Sequence, residues 1–258
     1  MLKQFLLVAL TSVAALVFWM VTKPLIVGPV NFQETFFWLW PLTLLVILAG
    51  LMALSFLLLE PKIIWLVMAL NLIIFALLFN PKEITIWGGV ALAFFFQFSA
   101  REITRKEKNN RLRFNFPSIV WSGVGRLITS ILILISLAYF LSSGAQATAQ
   151  KKELPGAVRQ VVEVVVGSYI GENLEGQNPR LRAQATEAVL QKINNFFNPY
   201  FVYLPPIFAF SLFLILQGLS IIFIWLAVLW AWLIFWILKL LKIVRIEKEP
   251  KEAEVINF

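Results

Sequence analysis

Long runs of apolar residues alternate with short charged segments along the chain, and this pattern predicts its architecture. A membrane-spanning helix needs about 20 mostly apolar residues, with roughly 17 to 25 tolerated. Six runs qualify, and they cover residues 5–22, 36–59, 63–79, 84–100, 119–141 and 207–238. The pattern therefore predicts an all-α membrane protein. We expect a polytopic bundle of about six transmembrane helices, with five of them within residues 1–141.

The first and last runs each have two interpretations. The first resembles a signal peptide, but it is long for the apolar part of one and no small-x-small cleavage site precedes Lys23. We therefore expect a retained span. The last run would be about 48 Å long as one helix, against a hydrocarbon core of about 30 Å. A hairpin around Gln217 lacks a strong turn sequence, so we expect one long helix over 207–242 and a charged tail over 243–258.

Composition supports the membrane class. Apolar residues make up 60% of the chain and charged residues only 14%. A soluble fold of this size needs more polar surface to cover its core, and a disordered chain needs more charge. These fractions exclude both classes.

Residue types that are missing from the sequence restrict its chemistry. The chain has no His and no Cys, and all its acidic residues are Glu. Zinc, haem and iron–sulfur sites of the usual kinds, and nucleophiles paired with His, are therefore excluded. A Ser–Lys dyad or a Glu base remains compatible, but neither has a recognisable spacing. We expect no enzymatic activity, no metal site and no cofactor.

Lys and Arg placement predicts the orientation. Cytoplasmic loops of membrane proteins carry an excess of these residues. With the N-terminus inside, most of them face the cytoplasm, and the short outer loops carry only Lys23 and Lys82. We expect a multi-pass protein of the plasma (inner) membrane with both termini cytoplasmic. Tryptophans fit two interfacial belts, an outer one of Trp19, Trp38, Trp40 and Trp87 and an inner one of Trp65, Trp121, Trp232 and Trp236.

The densest positive charge lies between the fourth and fifth spans. Residues 101–113 determine topology and face anionic lipid headgroups under this orientation. A docking site for an acidic cytoplasmic partner is the alternative, whereas the net charge of +8 gives no reason to expect nucleic acid. The candidate partner or lipid contacts are Arg105, Lys106, Lys108, Arg111 and Arg113.

Residues 142–206 are the main segment outside the spans, and we expect an extracytoplasmic amphipathic helical hairpin there. Residues 158–170 are rich in valine, which leaves helix and strand open, with a helix slightly favoured. Apolar residues from 181 to 196 recur at helical spacing. Two such helices are too small for an independent core. The two helices of residues 155–197 must therefore bury their apolar faces against each other, on the bundle or the membrane surface, or against another protein or a second copy of the chain.

One charge interrupts the predicted spans. Arg126 lies about 10 Å beneath the edge of the fifth span, and Asn71 lies at a similar depth in the third. Glu60 ends the second span near the same edge, so these three residues form a candidate intramembrane polar cluster in which Arg126 pairs with Glu60. The alternative is that Arg126 extends to a lipid phosphate.

Small residues at helical spacing predict close helix packing rather than a nucleotide site. They are Gly89 and Ala93, Gly123 and Gly125, and Ala227 and Ala231. Charged residues of the kind that line transport pathways are scarce within the spans. The sequence therefore favours a non-catalytic scaffold or assembly subunit of the cell envelope over a small permease or channel, and an enzyme comes third.

Overall fold

The structure is a computed structural model that describes residues 2–27, 35–111, 114–151, 161–162, 164–166 and 179–244. The part of the chain it describes is helical and contains no strand. The helices are α1 (Leu2–Val27), α2 (Thr35–Leu58), α3 (Pro61–Leu78), α4 (Ile84–Asn110), α5 (Phe116–Phe140), α6 (Ser143–Lys151), α7 (Pro179–Phe197), the 3₁₀ helix η1 (Asn198–Tyr203) and α8 (Leu204–Leu240).

Six of these helices, α1 to α5 and α8, are long and apolar enough to cross a membrane. The predicted class, an all-α polytopic bundle, is therefore confirmed. The last apolar run is one continuous helix of 37 residues, whereas α3 has only 18. The tail beyond residue 244 lies outside the described residues.

Prolines define the first turn of three spanning helices. Pro61 follows the N-terminal residue Glu60 of α3, Pro117 lies in the first turn of α5, and Pro205 lies in the first turn of α8. The first turn leaves backbone N–H groups without helical partners, so the missing N–H of proline costs nothing there, and its fixed φ suits a helix. These prolines therefore help to separate the long apolar runs into discrete helices.

Helix α5 is the centre of the packing, because α4 lies along one of its sides and α8 along another. Helix α2 packs on α1 and α8, while α3 packs mainly on α1 and α4. Helix α4 ends at Asn110 and α5 begins at Phe116, so these two helix ends are neighbours. We call this end of the bundle the basic end, because residues 101–111 lie there.

Small residues lie where the helices approach closely. A β-carbon at Gly123 in α5 would lie 2.8 Å from the carbonyl oxygen of Ala100 in α4. One at Gly50 in α2 would lie 3.2 Å from the carbonyl oxygen of Ala227 in α8. The close packing predicted at Gly123 and Ala227 is confirmed, and Gly50 is a contact that the sequence pattern did not identify.

Trp19 does not belong to an interfacial belt. Its side chain is fully buried, and its ring centroid lies 4.7 Å from that of Phe75 and 5.8 Å from that of Phe79. The ring of Phe18 is also in contact, at 4.6 Å. Although Trp19 lies near the C-terminal end of its apolar run, its side chain packs against α3, so the prediction of a membrane-interface position for this residue is wrong.

The segment between α5 and α8 consists of helices in its described part. Residues 161, 162 and 164–166 of the valine-rich stretch are helical, which agrees with the favoured interpretation. Helix α6 packs on η1 and on the start of α8, and α7 also packs on η1. The remainder of 152–178 lies outside the described residues.

Candidate functional site

Polar side chains within the spans are the first candidates, and the structure does not bring the predicted cluster together. Glu60 accepts a hydrogen bond from Gln4 Nε2 at 3.1 Å. Asn71 is fully buried, and its Nδ2 lies 3.6 Å from Met52 Sδ. The predicted pairing of Arg126 with Glu60 is therefore not formed. Depth along a helix can be calculated from the sequence, but the side of the helix on which a partner lies cannot.

Arg126 instead contacts α4. Its Nη1 donates a hydrogen bond to Ser99 Oγ. The side chain is exposed on the surface of the bundle. The salt bridges among the described residues join other pairs, so no described carboxylate lies within salt-bridge distance of Arg126. The cation in α5 thus has a neutral partner and an exposed side chain.

A second arginine at the basic end has the opposite surroundings. Arg101 is only 6% exposed, and its Nη1 donates to Glu102 Oε1 at 3.0 Å. Its guanidinium lies 5.1 Å from the ring centroid of Trp65 in α3, a cation–π contact. Trp65 in turn stacks on Phe94 and Phe98 of α4. These contacts join α3 to α4, and no pattern in the sequence indicates them.

The predicted basic contacts between α4 and α5 divide into two groups. Arg105 and Lys106 are exposed. Lys108 and Arg111 are used within the chain, since Lys108 Nζ donates to the Leu57 carbonyl at 3.2 Å and Arg111 binds Glu107 at 2.6 Å. Arg113 lies outside the described residues. Arg105 also lies 3.9 Å from Glu102 Oε1, and the side chains of Arg105 and Lys106 both extend from the surface of the bundle.

A neutral polar pair lies inside the bundle between α4 and α5. Gln97 and Ser130 are both fully buried. Gln97 Nε2 donates to Ser130 Oγ at 3.2 Å, and Ser130 Oγ donates to the carbonyl of Ala93 at 3.0 Å. Gln97 Oε1 is buried without a partner in the described part of the chain. The pair ties the two helices together and presents no group to the outside.

Apolar side chains outside the spans form a different kind of candidate. Val161 and Val164 are 57% and 68% exposed, and Val189 on α7 is 38% exposed. Thr186 and Leu190 on the same helix are buried, so α7 has a covered and an uncovered side. This arrangement offers apolar area to a neighbour of the chain.

Metal coordination has no candidate site among the described residues, which hold no group of three or more acidic, His or Cys side chains close enough to bind an ion. The chain was compared with protein-family models, curated proteins and solved structures, and nothing matches it.

Proposed function

We propose that this integral membrane protein is a non-catalytic scaffold or assembly subunit of the cell envelope. In this proposal the six spans anchor the chain in the plasma membrane with both termini in the cytoplasm. The segment of α6, α7 and η1, together with the valine-rich stretch, contacts a partner on the outer side. The observation that carries the proposal is the exposed apolar area on this segment, at Val161, Val164 and Val189.

The segment is too small to cover that area by itself. Domains of this size bury too little apolar surface for a stable core of their own without staples or partners. Exposed apolar side chains outside a membrane are unfavourable in water and favour association. A protein partner or a second copy of the chain, binding through residues 155–197, would cover them.

The interior of the bundle supports a scaffold more than the alternative, a small permease or channel. Transport pathways use ionisable groups or interrupted helices near the middle of the membrane. Here Asn71, Gln97 and Ser130 are neutral and fully buried, and Arg126 is at the bundle surface. The six spanning helices are each continuous over their described lengths.

Affinity purification of the tagged full chain in mild detergent tests the proposal. We expect a stoichiometric protein partner, or a dimer, to co-purify with the natural chain. Val189→Glu should release it, because a charge would then enter the apolar contact. Gln191→Glu is the matched control, since it adds the same charge at an exposed polar position of the same helix.

Two results would contradict the scaffold. One is a chain that purifies alone as a monomer, and the other is equal recovery of the partner with Val189→Glu and with the natural chain. A chain that purifies alone and makes reconstituted vesicles permeable to solutes would favour the permease.

A further inference from the structure

The two arginines at the basic end differ in how their charge is balanced within the chain. Arg101 is buried against Trp65 and has a carboxylate partner in Glu102. Arg126 is exposed and contacts the hydroxyl of Ser99, with no described carboxylate in salt-bridge range. A guanidinium has five donors, and within or near a hydrocarbon layer an unbalanced one is unfavourable. Among the described residues Arg126 thus has no anionic partner, and an acceptor from the surrounding lipid would balance its charge.

Arg126 lies close enough to the basic end for its side chain to reach the level of lipid headgroups. Ser99 precedes Arg101, the first charged residue of α4, by two residues or about 3 Å. On α5, Trp121 is five residues closer to the basic end than Arg126, or about 7.5 Å along the helix axis. Trp121 is 39% exposed, as is typical of an aromatic side chain at the membrane interface. An arginine side chain can extend over this distance.

Exposed apolar residues lie on the other side of Arg126, toward the middle of the membrane. Phe95 is four residues before Ser99 on α4 and therefore on the same face, and it is 62% exposed. Ile133 is seven residues after Arg126 on the same face of α5 and is partly exposed. A ligand that reaches Arg126 from the lipid phase therefore meets a cation and a hydroxyl at one end and apolar side chains at the other.

We propose that Arg126 and Ser99 bind the phosphodiester group of a phospholipid in the leaflet at the basic end, with an acyl chain of that lipid along Phe95 and Ile133. Phosphate oxygens match the planar, forked donors of a guanidinium, and a charge-assisted contact of this kind is about twice as strong as a neutral one. The site is independent of the scaffold role, because it lies on the bundle and not on the segment between α5 and α8.

Native mass spectrometry of the purified full chain in detergent tests the site with phosphatidylglycerol as the probe. We expect the natural chain to retain this lipid. The Arg126→Gln variant should bind it with an affinity lower by a factor of about ten or more. Arg126→Lys should be intermediate, since lysine keeps the charge and loses the fork. Lys62→Gln is the matched control, because it removes one charge from an exposed position at the start of α3, at the same end of the bundle, and should leave this bound lipid in place.

Diacylglycerol with the same acyl chains and inorganic phosphate separate the parts of the ligand. We expect neither to replace phosphatidylglycerol. If diacylglycerol binds as well as phosphatidylglycerol, the phosphate is not recognised. If inorganic phosphate saturates the site, the site takes a free ion. Either result would overturn the proposal. Unchanged binding to Arg126→Gln would overturn it as well. If Arg126→Gln does not fold, Ser99→Ala and Arg126→Lys provide the same comparison, and lipid binding equal to that of the natural chain in both would reject the site.

Discussion

Substitution of Gly123 by alanine tests the packing between α4 and α5 most directly. The added β-carbon would lie 2.8 Å from the carbonyl oxygen of Ala100, whereas ordinary contacts begin at 3.4 Å. This oxygen belongs to the backbone and also accepts a hydrogen bond from Thr104 Oγ1 at 2.9 Å, so it cannot rotate away as a side chain can. Thr104 Oγ1 would lie closer still to the added β-carbon, so the two helices must separate by at least about 0.6 Å at this point, a gap that weakens facing contacts substantially.

The expected loss of stability follows from that separation. A radial gap of 0.5–1 Å removes about a quarter to a half of the attraction between facing atoms, and overpacking in a well-packed core costs about 1–3 kcal/mol. Alanine also has the higher helix propensity, by up to about 1 kcal/mol, which offsets part of the loss. Gly218→Ala on α8 gains the same propensity and meets no heavy atom within 4 Å. Gly123→Ala should therefore be less stable than Gly218→Ala by about 1–3 kcal/mol.

Equilibrium unfolding of the two variants in mixed micelles with increasing amounts of denaturing detergent measures this difference. The comparison uses the free energy of unfolding of each full-length chain relative to the natural protein. Equal values for the two variants would refute the reasoning, because the α4–α5 contact at Gly123 would then tolerate a β-carbon as easily as an open position.

Three further predictions concern the core, the buried polar pair and the orientation. Trp19→Ala should lower the free energy of unfolding by about 3–5 kcal/mol, measured in the same way, because it removes a fully buried ring. Ser130→Ala should lower the free energy of unfolding by about 1–3 kcal/mol, because it leaves the side-chain amide of Gln97 without its acceptor. Gln97→Leu should lower it less, because it also removes the buried oxygen that has no partner among the described residues. The reverse order of the two variants in unfolding experiments would contradict this reasoning. In intact cells an impermeant thiol reagent should label Val202→Cys and not Lys106→Cys, and the opposite labelling would invert the proposed orientation.

The sequence predicts the spanning helices well because their signal is local. A long apolar run in which charges are confined to the ends can satisfy its backbone in a membrane only as a helix. The valine-rich stretch was harder, since β-branched residues lower helix propensity, and its described residues are nevertheless helical. Small residues such as Gly123 indicated close packing, but the identity of the neighbouring helix depends on tertiary arrangement.

The candidate site was predicted less well, because partners within a bundle depend on which face of each helix is turned inward. Arg126 and Asn71 have similar calculated depths and Glu60 lies at the nearby edge, yet the observed partners of Arg126 and Glu60 are Ser99 and Gln4. The contact between Arg101 and Trp65 likewise joins two helices at matching depth and was not identified. The depth of a residue in the membrane follows from its own helix alone. A contact also depends on how two helices are rotated about their axes and on which helices are neighbours.

The unequal lengths of the spanning helices have a consequence for the bilayer around the protein. Helix α8 extends about 55 Å and α3 about 27 Å, and they occupy different sides of the bundle. No single bilayer thickness matches both, and each ångström of mismatch costs a fraction of a kcal/mol in lipid deformation or helix tilt. Lipids with long acyl chains are therefore favoured beside α8 and those with short chains beside α3. Two copies that meet along α8 share one thickened region of lipid, so the membrane itself supplies an attraction between them.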